Sequence, residues 1–581
     1  MVMNASIPPA RLLAFACAAA AVLGCASEQP ERVASSSPGS AAAAESFYGT
    51  LEPFAEHAVY FAMTDRFVNG DPGNDQRDQA KGANHTFDRP TPGAPPGQTD
   101  NIGYLGGDFK GLADNAAYIR DMGFGAVWIT PIVDNPDQAF TGGEPARWGG
   151  SLTDRGKTGY HGYWGIDFYR LDEHWPSPGL DFRRFTQAMH DSGLKVVLDI
   201  VGNHGSPAYS MPYAQPQYGQ LFDRDGKLIA DHQNLAPDKL DPAGNPLHAF
   251  YNTKPGLAQL SDFNETNPAV MDYLVGAYLQ WIDQGADAFR IDTIQWMPHA
   301  FWADFTGRIR AKHPGFFMFA EAFDYDAGKI AEHTWAGNGG VSVLDFPLKK
   351  ALVETFENPG SDYAALLEPL HLENGPYANP YDLATFYDNH DMARMNASDA
   401  GFIDAHNFLF TARGIPVIYY GSETGFMRGT AEHMGNRNYF GQQRVDAAAS
   451  HPIHKALTRI AHIRKATPAL QRGLQVNLEF SGNRAAFYRV YQHGGQHQIA
   501  LVLLNKGDAP ESFAISQWLQ PGRWRSLLDN ADAQVRPGGA LQATVPAHDV
   551  RVYVLDAPVA DPALAARLQQ AMRLAGRQAS R

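Results

Sequence analysis

The sequence feature that most constrains the fold is a short apolar segment, rich in β-branched and aromatic residues, that recurs eight times. Most of these segments are separated by stretches with apolar residues at three- and four-residue spacing, the pattern of an amphipathic helix. Eight strands alternating with helices predict parallel βαβ units and an α/β fold, the (β/α)8 or TIM barrel. The predicted strands are 58–67, 125–131, 195–204, 286–292, 316–323, 341–347, 383–391 and 416–423.

The chain also contains segments that a plain barrel does not need. Residues 205–262, which follow the third predicted strand, are rich in Pro, Gly and Asp and too long for an ordinary connection. We therefore expect a small inserted domain there, flanked by barrel residues 51–204 and 263–465. The pattern then becomes purely β, which predicts a C-terminal antiparallel β-sandwich over 466–556. Residues 557–581 predict a helical tail.

The first 25 residues have the features of an export signal. Arg11 precedes an apolar run that ends in Val-Leu-Gly-Cys at Cys25. This resembles a bacterial lipoprotein signal, which implies cleavage before Cys25 and acylation of its thiol; an ordinary cleaved signal is the alternative. Residues 26–50 have the composition of a flexible tether. We expect an exported bacterial protein, either secreted or held in the cell envelope (periplasm or outer membrane), with membrane contact only through this lipid.

Composition narrows the classes of partner. The only cysteines are Cys17 and Cys25, so we expect neither a disulfide nor a Cys-ligated metal in the mature protein. The formal net charge is −15, from 62 acidic and 47 basic residues, and Lys and Arg form no block. That balance argues against a nucleic-acid partner. We expect a monomer.

Polar and charged side chains collect near the ends of four predicted strands. In a (β/α)8 barrel, functional residues lie at the carboxyl ends of the strands. One charged residue in a strand is usually a satisfied structural group, but four such strand ends at one rim predict an active site. They carry Asp199, Asn203 and His204 (third strand), Arg290 and Asp292 (fourth), Glu321 (fifth), and His390 and Asp391 (seventh).

The residue types indicate glycoside hydrolysis. Asp292, Glu321 and Asp391 supply three carboxylates, and paired carboxylates cleave glycosidic bonds: one attacks or stabilises while the other protonates the leaving oxygen. Arg290 lies two residues before Asp292, on the same side of the strand, and should keep it ionised. We expect neighbouring negative charge to raise the pKa of Glu321, as a proton donor needs. His204 and His390 could contact sugar hydroxyls or be buried structural histidines.

Four segments resemble the signature segments of the α-amylase family: "DIVGNH" (199–204), "FRIDT" (289–293), "FAEAF" (319–323) and "YDNHD" (387–391). The similarity runs from about residue 55 to 556 and includes "GYHGYWGIDFY" (159–169). It implies an α-glucan substrate and a retaining double displacement. By this resemblance Asp199 is a structural support. The resemblance also implies site roles: Asp292 as nucleophile, Glu321 as acid/base, Asp391 as a grip on sugar hydroxyls, and Tyr163, His204, Arg290 and His390 as substrate-binding residues.

Two loops carry oxygen donors of the kind that calcium prefers, "NGDPGND" (69–75) and "LGGDFKG" (105–111). A turn rich in helix-capping residues is the alternative. The pair resembles the calcium site near the start of the barrel in cyclodextrin glucanotransferases. A second family site would use Asn203, Asp262 and the backbone carbonyl of Trp296. The first site would use Asn69, Asp71, Asn74, Asp75, Asp108 and the backbone carbonyl of Gly106.

Two features favour water as the acceptor of the cleaved sugar. Cyclodextrin-forming relatives carry starch-binding domains beyond the sandwich, whereas this sequence stops after it. They also place a large aromatic residue four positions before the aspartate of "LSD", where this chain has Ala258. We therefore expect an endo-acting α-amylase. The alternatives are a cyclodextrinase, a 4-α-glucanotransferase, and a non-catalytic glucan-binding protein, which the three retained carboxylates disfavour.

Overall fold

The computed structural model describes residues 46–151, 153–529 and 531–579, with side chains up to residue 573. The predicted signal, Cys25 and most of the predicted tether lie outside these residues. The last residues of that tether do not have a tether's structure. Phe47 is 2% exposed and pairs through its backbone with Gln492 of the C-terminal sheet. The ordered fold therefore begins before residue 50, because Phe47 is anchored by apolar burial.

Eight parallel strands form the predicted barrel. The strands are β1 (Val59–Ala62), β2 (Ala126–Ile129), β3 (Lys195–Val201), β4 (Ala288–Asp292), β5 (Phe317–Ala320), β6 (Ser342–Val343), β7 (Ala384–Thr385) and β8 (Ile415–Tyr419). Their order in the sheet is β6-β5-β4-β3-β2-β1-β8-β7, and a parallel bridge between Leu344 and Ala384 joins its two edges. The fold-class prediction is therefore confirmed.

Most helices belong to the crossovers between these strands, and their apolar faces pack against the barrel. No helix among the described residues is both long and apolar enough to cross a bilayer. The α-helices are Thr64–Phe67, Phe109–Asp114, Ala116–Asp121, Phe182–Asp191, Pro268–Asp283, His299–Lys312, Ala327–Ala331, Phe346–Phe356, Asp399–Thr411, Gln442–Ala448, Pro452–Lys465, Pro468–Arg472 and Pro562–Ala579.

Several strands are shorter than their apolar patterns predict. The seventh predicted strand, 383–391, contains only the two residues of β7. Beyond it, Asn389 Oδ1 accepts a hydrogen bond from the backbone N–H of Asp391, and Asp388 Oδ2 accepts one from Met395. Such side-chain bonds to the backbone replace the strand ladder. The consequence is that His390 and Asp391 lie on a loop at the carboxyl end of the barrel.

The inserted segment after β3 contains more regular structure than its composition suggests. His204–Pro207 pairs antiparallel with Leu260–Asp262, which closes the base of the insertion. Gln220–Phe222 and Leu228–Asp231 form a second antiparallel pair within it. The first pairing places His204 directly opposite Asp262. Both ends of the insertion therefore lie beside the carboxyl end of β3.

The C-terminal region is antiparallel, as predicted. It contains a six-stranded sheet and a two-stranded sheet formed by Glu511–Ile515 and Leu541–Val545. Leu564 and Leu568 of the last helix are fully buried in the apolar cluster of this region. The six-stranded sheet contains Leu474–Ser481, Arg484–His493, Gln496–Asn505, Asp549–Leu555, Gly522–Ser526 and Ala533–Val535, in spatial order.

Candidate active site

A buried arginine lies at the centre of the carboxyl end of the barrel. Register places Arg290 of β4 beside Asp199 of β3. Its Nη1 lies 2.9 Å from Asp199 Oδ1 and 2.8 Å from Asp292 Oδ1, and its Nη2 lies 2.8 Å from Glu321 Oε2. The Arg290 side chain is fully buried. One guanidinium therefore holds three carboxylates at one end of the barrel: one on β3, one on β4 and one on the residue that follows β5.

Asp199 accepts hydrogen bonds from several protein side chains within the barrel. Besides Arg290, it accepts hydrogen bonds from Trp128 Nε1 at 2.9 Å and from the Tyr163 hydroxyl at 2.7 Å. Burial raises the pKa of Asp199 to about 7, although the Arg290 charge opposes this increase. Saturated with protein donors, Asp199 supports Arg290 and Tyr163. This contact also brings the predicted substrate-binding residue Tyr163 into the site.

Glu321 has the environment of a carboxylic acid that stays protonated at neutral pH. Its side chain is 5% exposed. Burial is the largest cause that raises its pKa to about 8, and the charges of Asp391 and Asp292 add to it against the opposing charge of Arg290. We expected neighbouring negative charge to be the main cause. Desolvation outweighs it because the carboxylate lies almost entirely out of water.

Asp391 and the two histidines complete the same end of the barrel. His390 Nε2 lies 3.1 Å from Asp391 Oδ2, and the His390 ring stacks on Tyr163 with centroids 5.4 Å apart. Burial lowers the pKa of both His390 and His204, so both imidazoles are neutral near pH 7. Neutral imidazoles can donate one hydrogen bond and accept another, which suits sugar hydroxyls.

Two residues that contact this site were not predicted from the sequence, one on a strand and one on a loop. Trp128 of β2 bonds to Asp199, and Arg437, on the loop after β8, lies 2.8 Å from Asp391 Oδ1. Neither residue has a local signal: Trp128 belongs to an ordinary apolar strand pattern, and Arg437 stands in a polar loop. A separate group of three carboxylates was not predicted from the sequence either. Their oxygens lie within 4.8 Å of one another, and the residues are Asp134, Asp172 and Glu173.

The two predicted calcium loops meet beside the barrel. Asn69 Nδ2 lies 2.7 Å from Asp75 Oδ1, and Asn74 Nδ2 lies 3.3 Å from Asp108 Oδ2. A Cβ on Gly106 (φ +86°) would lie 2.2 Å from Asp75 Oδ1, so only glycine lets this backbone approach. Helix capping, the alternative, is also realised, because Asp108 caps Phe109–Asp114.

Two buried oxygens in these loops lack a hydrogen-bond partner: the side-chain carbonyls of Asn69 and Asn74. Buried amide oxygens are costly unless they are bonded, and a hard cation accepts such oxygens as ligands. The residues present therefore fit a calcium ion. At the second predicted site, Asn203 Nδ2 lies 3.1 Å from Asp262 Oδ1, and burial raises the pKa of Asp262 to about 7.

Sequence comparison matches this chain to a family model and to individual enzymes. A family model described as the α-amylase catalytic domain matches residues 61–465. The cyclomaltodextrin glucanotransferase of Klebsiella oxytoca is 28% identical over 533 residues, which cover 84% of this chain and 76% of that protein. The enzyme of the same name from Niallia circulans is 28% identical over 544 residues, covering 90% and 70%.

Solved structures of two kinds resemble this fold. An Anoxybacillus α-amylase is 26% identical with a TM-score of 0.64, covering 87% of this chain and 98% of its own. A structure described as the first cyclomaltodextrin glucanotransferase with a three-domain ABC distribution is 30% identical, with a TM-score of 0.69. That similarity covers 86% of this chain and 99% of the other.

Proposed function

Because this chain belongs to the α-amylase family of glycoside hydrolases, an enzyme family with glycosidase or transglycosylase activity on α-glucans, we propose that it hydrolyses α-1,4-glucosidic bonds by a retaining double displacement. Starch, maltodextrins and related α-glucans are the proposed substrates. The observation that carries the proposal is the contact of one guanidinium, Arg290, with both Asp292 and Glu321 at 2.8 Å. This contact keeps the two carboxyl groups together, as two-carboxylate catalysis requires.

In the first step, Asp292 attacks the anomeric carbon while Glu321 gives its proton to the departing glycosidic oxygen. A covalent glycosyl-enzyme forms, and the shortened chain leaves with the proton. In the second step, Glu321 removes a proton from the acceptor, whose oxygen attacks the anomeric carbon and releases Asp292. Asp391 binds hydroxyl groups of the distorted sugar ring. Tyr163, His204 and His390 line the subsite that holds this sugar.

Water is the proposed acceptor, and the small Ala258 side chain supports it, since no large aromatic side chain occupies that position. The number of domains does not separate hydrolases from the transferases of this family. A cyclomaltodextrin glucanotransferase with three domains aligns over 99% of its length with this chain, so such enzymes need no further domain. Transfer to a sugar hydroxyl is therefore a second candidate, favoured by the glucanotransferase relatives.

Product analysis separates these candidates. The purified protein is incubated with soluble starch, pullulan and cyclodextrins, and the products are resolved by size and by reducing ends. Hydrolysis gives oligosaccharides with new reducing ends in proportion to bonds broken. Cyclic or redistributed glucans without new reducing ends would identify the transferase. No change in any substrate, with a folded protein, would contradict both and leave a glucan-binding protein.

Calcium is the proposed ion at the meeting of the two loops. Asn69, Asp71, Asn74, Asp75, Asp108 and the Gly106 carbonyl would hold it there. A second ion would bind Asn203, Asp262 and the Trp296 carbonyl. Bound calcium would supply charge that links loops across the sequence, not a chemical step. Its role is therefore stability.

Export through a lipoprotein signal is also part of the proposal, with the mature chain beginning at an acylated Cys25. The support is the Val-Leu-Gly-Cys sequence after an apolar run. A lipid at Cys25 would be the sole membrane attachment.

A further inference from the structure

A chain of charged side chains leads away from Asp391 into the protein. Arg437 Nη2 lies 2.8 Å from Asp391 Oδ1, and its Nη1 lies 3.2 Å from Glu432 Oε1. The same Glu432 oxygen lies 3.2 Å from Lys157 Nζ, which in turn lies 2.8 Å from Asp154 Oδ1. The side chains of Arg437 and Lys157 are only 8% and 5% exposed. Five alternating charges therefore connect the loop after β2 to the loop after β8.

The loop after β8 also holds the backbone on both sides of Asp391. Arg437 Nε donates to the carbonyl of His390 at 2.9 Å. The adjacent Asn436 donates through Nδ2 to the carbonyls of Asn389, at 3.0 Å, and Met392. Two consecutive residues thus bind three carbonyls around Asp391. Since β7 ends at Thr385, no strand ladder holds this segment, and these bonds take its place.

We propose that Arg437 is a positioning residue for the reaction, holding the Asp391 carboxylate in the cleft, and that Glu432 and Lys157 hold Arg437 in turn. The inference rests on the proposed function, because it requires Asp391 to act on the substrate. The planar guanidinium suits this task, since its separate N–H groups bind the carboxylate, the backbone and Glu432 at fixed angles. A lysine ammonium could replace its charge but not these directions.

The charges along the chain act on Asp391 with opposite signs. Its side chain is 30% exposed to the cleft, and removal from bulk water raises its pKa. Arg437 and Lys157 lower the pKa of Asp391, whereas Glu432 raises it. Each substitution along this chain of charges should therefore shift the pKa of Asp391 in a known direction. The charged and titratable groups that face Asp391 are His390, Arg437, Arg290, Glu321, Glu432, Lys157 and Tyr163.

The first test compares Arg437→Met with Arg437→Lys by steady-state kinetics on a soluble maltodextrin over pH 4–9. We expect Arg437→Met to lose about 100-fold in kcat/KM, mostly in kcat, as expected for a misplaced group. The acid limb of the pH–rate profile of Arg437→Met should move to higher pH, because Asp391 loses the cation that favours the ionised carboxylate. Arg437→Lys should return the acid limb towards that of the wild type and recover part of kcat.

The second test substitutes Lys157 and Glu432, the residues that hold Arg437. Lys157→Met should move the acid limb to higher pH and Glu432→Gln to lower pH, each with a loss of about tenfold in kcat/KM. Arg428→Met is the matched control: Arg428 lies on the same loop, is 33% exposed and pairs with Asp399, away from Asp391. Its kcat, KM and pH profile should equal those of the wild type.

Equal acid limbs in all variants, with activity lost only in proportion to thermal stability, would overturn the proposal, because that is the behaviour of a purely structural ion pair. If Arg437→Met does not fold, Arg437→Lys and Glu432→Gln decide, since both keep the shape or charge of the site. An inactive wild-type protein would instead contradict the proposed function. A wild type and control that are active, beside unaffected Arg437 variants, would contradict this inference alone.

Discussion

The buried carboxyl of Glu321 predicts that its own contribution to wild-type stability falls as the pH rises, and that Glu321→Gln removes this part of the pH dependence. Its pKa is about 8 in the folded protein, against 4.5 for an ordinary glutamate. Between these values the folded state holds a proton that the unfolded state has released. The contribution of this carboxyl to the free energy of unfolding therefore decreases with rising pH in this window, by about 1.36 kcal/mol per pH unit. Over the difference of roughly 3.5 units, the loss is about 5 kcal/mol.

Glutamine has the shape of the protonated acid and does not ionise. The two proteins should therefore be equally stable near pH 4.5, and Glu321→Gln should be the more stable by about 5 kcal/mol above pH 8. For a chain of this length that corresponds to a difference in Tm of about 4 °C. Differential scanning calorimetry at half-unit steps from pH 4.5 to 9 measures it. The wild-type kcat/KM should fall above pH 8, as Glu321 loses its proton.

Glu354→Gln is the control, because Glu354 is 65% exposed on helix Phe346–Phe356 and the substitution makes the same change from carboxyl to amide. Its Tm difference from the wild type should not depend on pH in this window. A Tm difference between Glu321→Gln and the wild type that is equally independent of pH would refute this prediction, as would a wild type that gains stability relative to the variant as the pH rises. Either result would mean that Glu321 is already ionised at neutral pH.

Three further predictions concern catalysis, calcium and the membrane. Asp292→Asn should lower kcat on soluble starch by about 10⁴-fold with an unchanged circular dichroism spectrum; near-normal turnover would remove Asp292 as nucleophile. Chelation should lower the Tm, and calcium at 100 times its Kd should restore about 2.7 kcal/mol of stability. Gly106→Ala should weaken that response, whereas an unchanged Tm with chelator would remove the calcium proposal. Labelled palmitate should enter the expressed chain but not Cys25→Ala, and equal labelling would exclude Cys25 as the acylated residue.

The sequence predicted most of the architecture because the signals are local. Apolar runs of strand length alternate with helical spacing, and their number implies a closed parallel barrel. The i, i+2 spacing of Arg290 and Asp292 places both side chains on one face of β4, whatever the rest of the fold. The turn chemistry at the first calcium loop is equally local, since Asp71 caps the turn that follows it.

Strand ends were less predictable, because side-chain bonds to the backbone compete with the ladder. The apolar pattern of 383–391 does not show that Asn389 will bond to Asp391 and end β7 early. The cause of the raised pKa of Glu321 was also misjudged. Neighbouring charges can be read from a sequence, but the depth of burial is a property of the whole barrel.

The sequence by itself determined which chemical groups stand at the ends of which strands, because periodicity and motif depend on residues close together in the chain. Only the tertiary structure determined their partners. The register of β3 against β4 sets Asp199 beside Arg290, and loop packing brings Arg437 to Asp391 across 46 positions of the chain. Such contacts depend on how distant segments pack, and no local pattern specifies that.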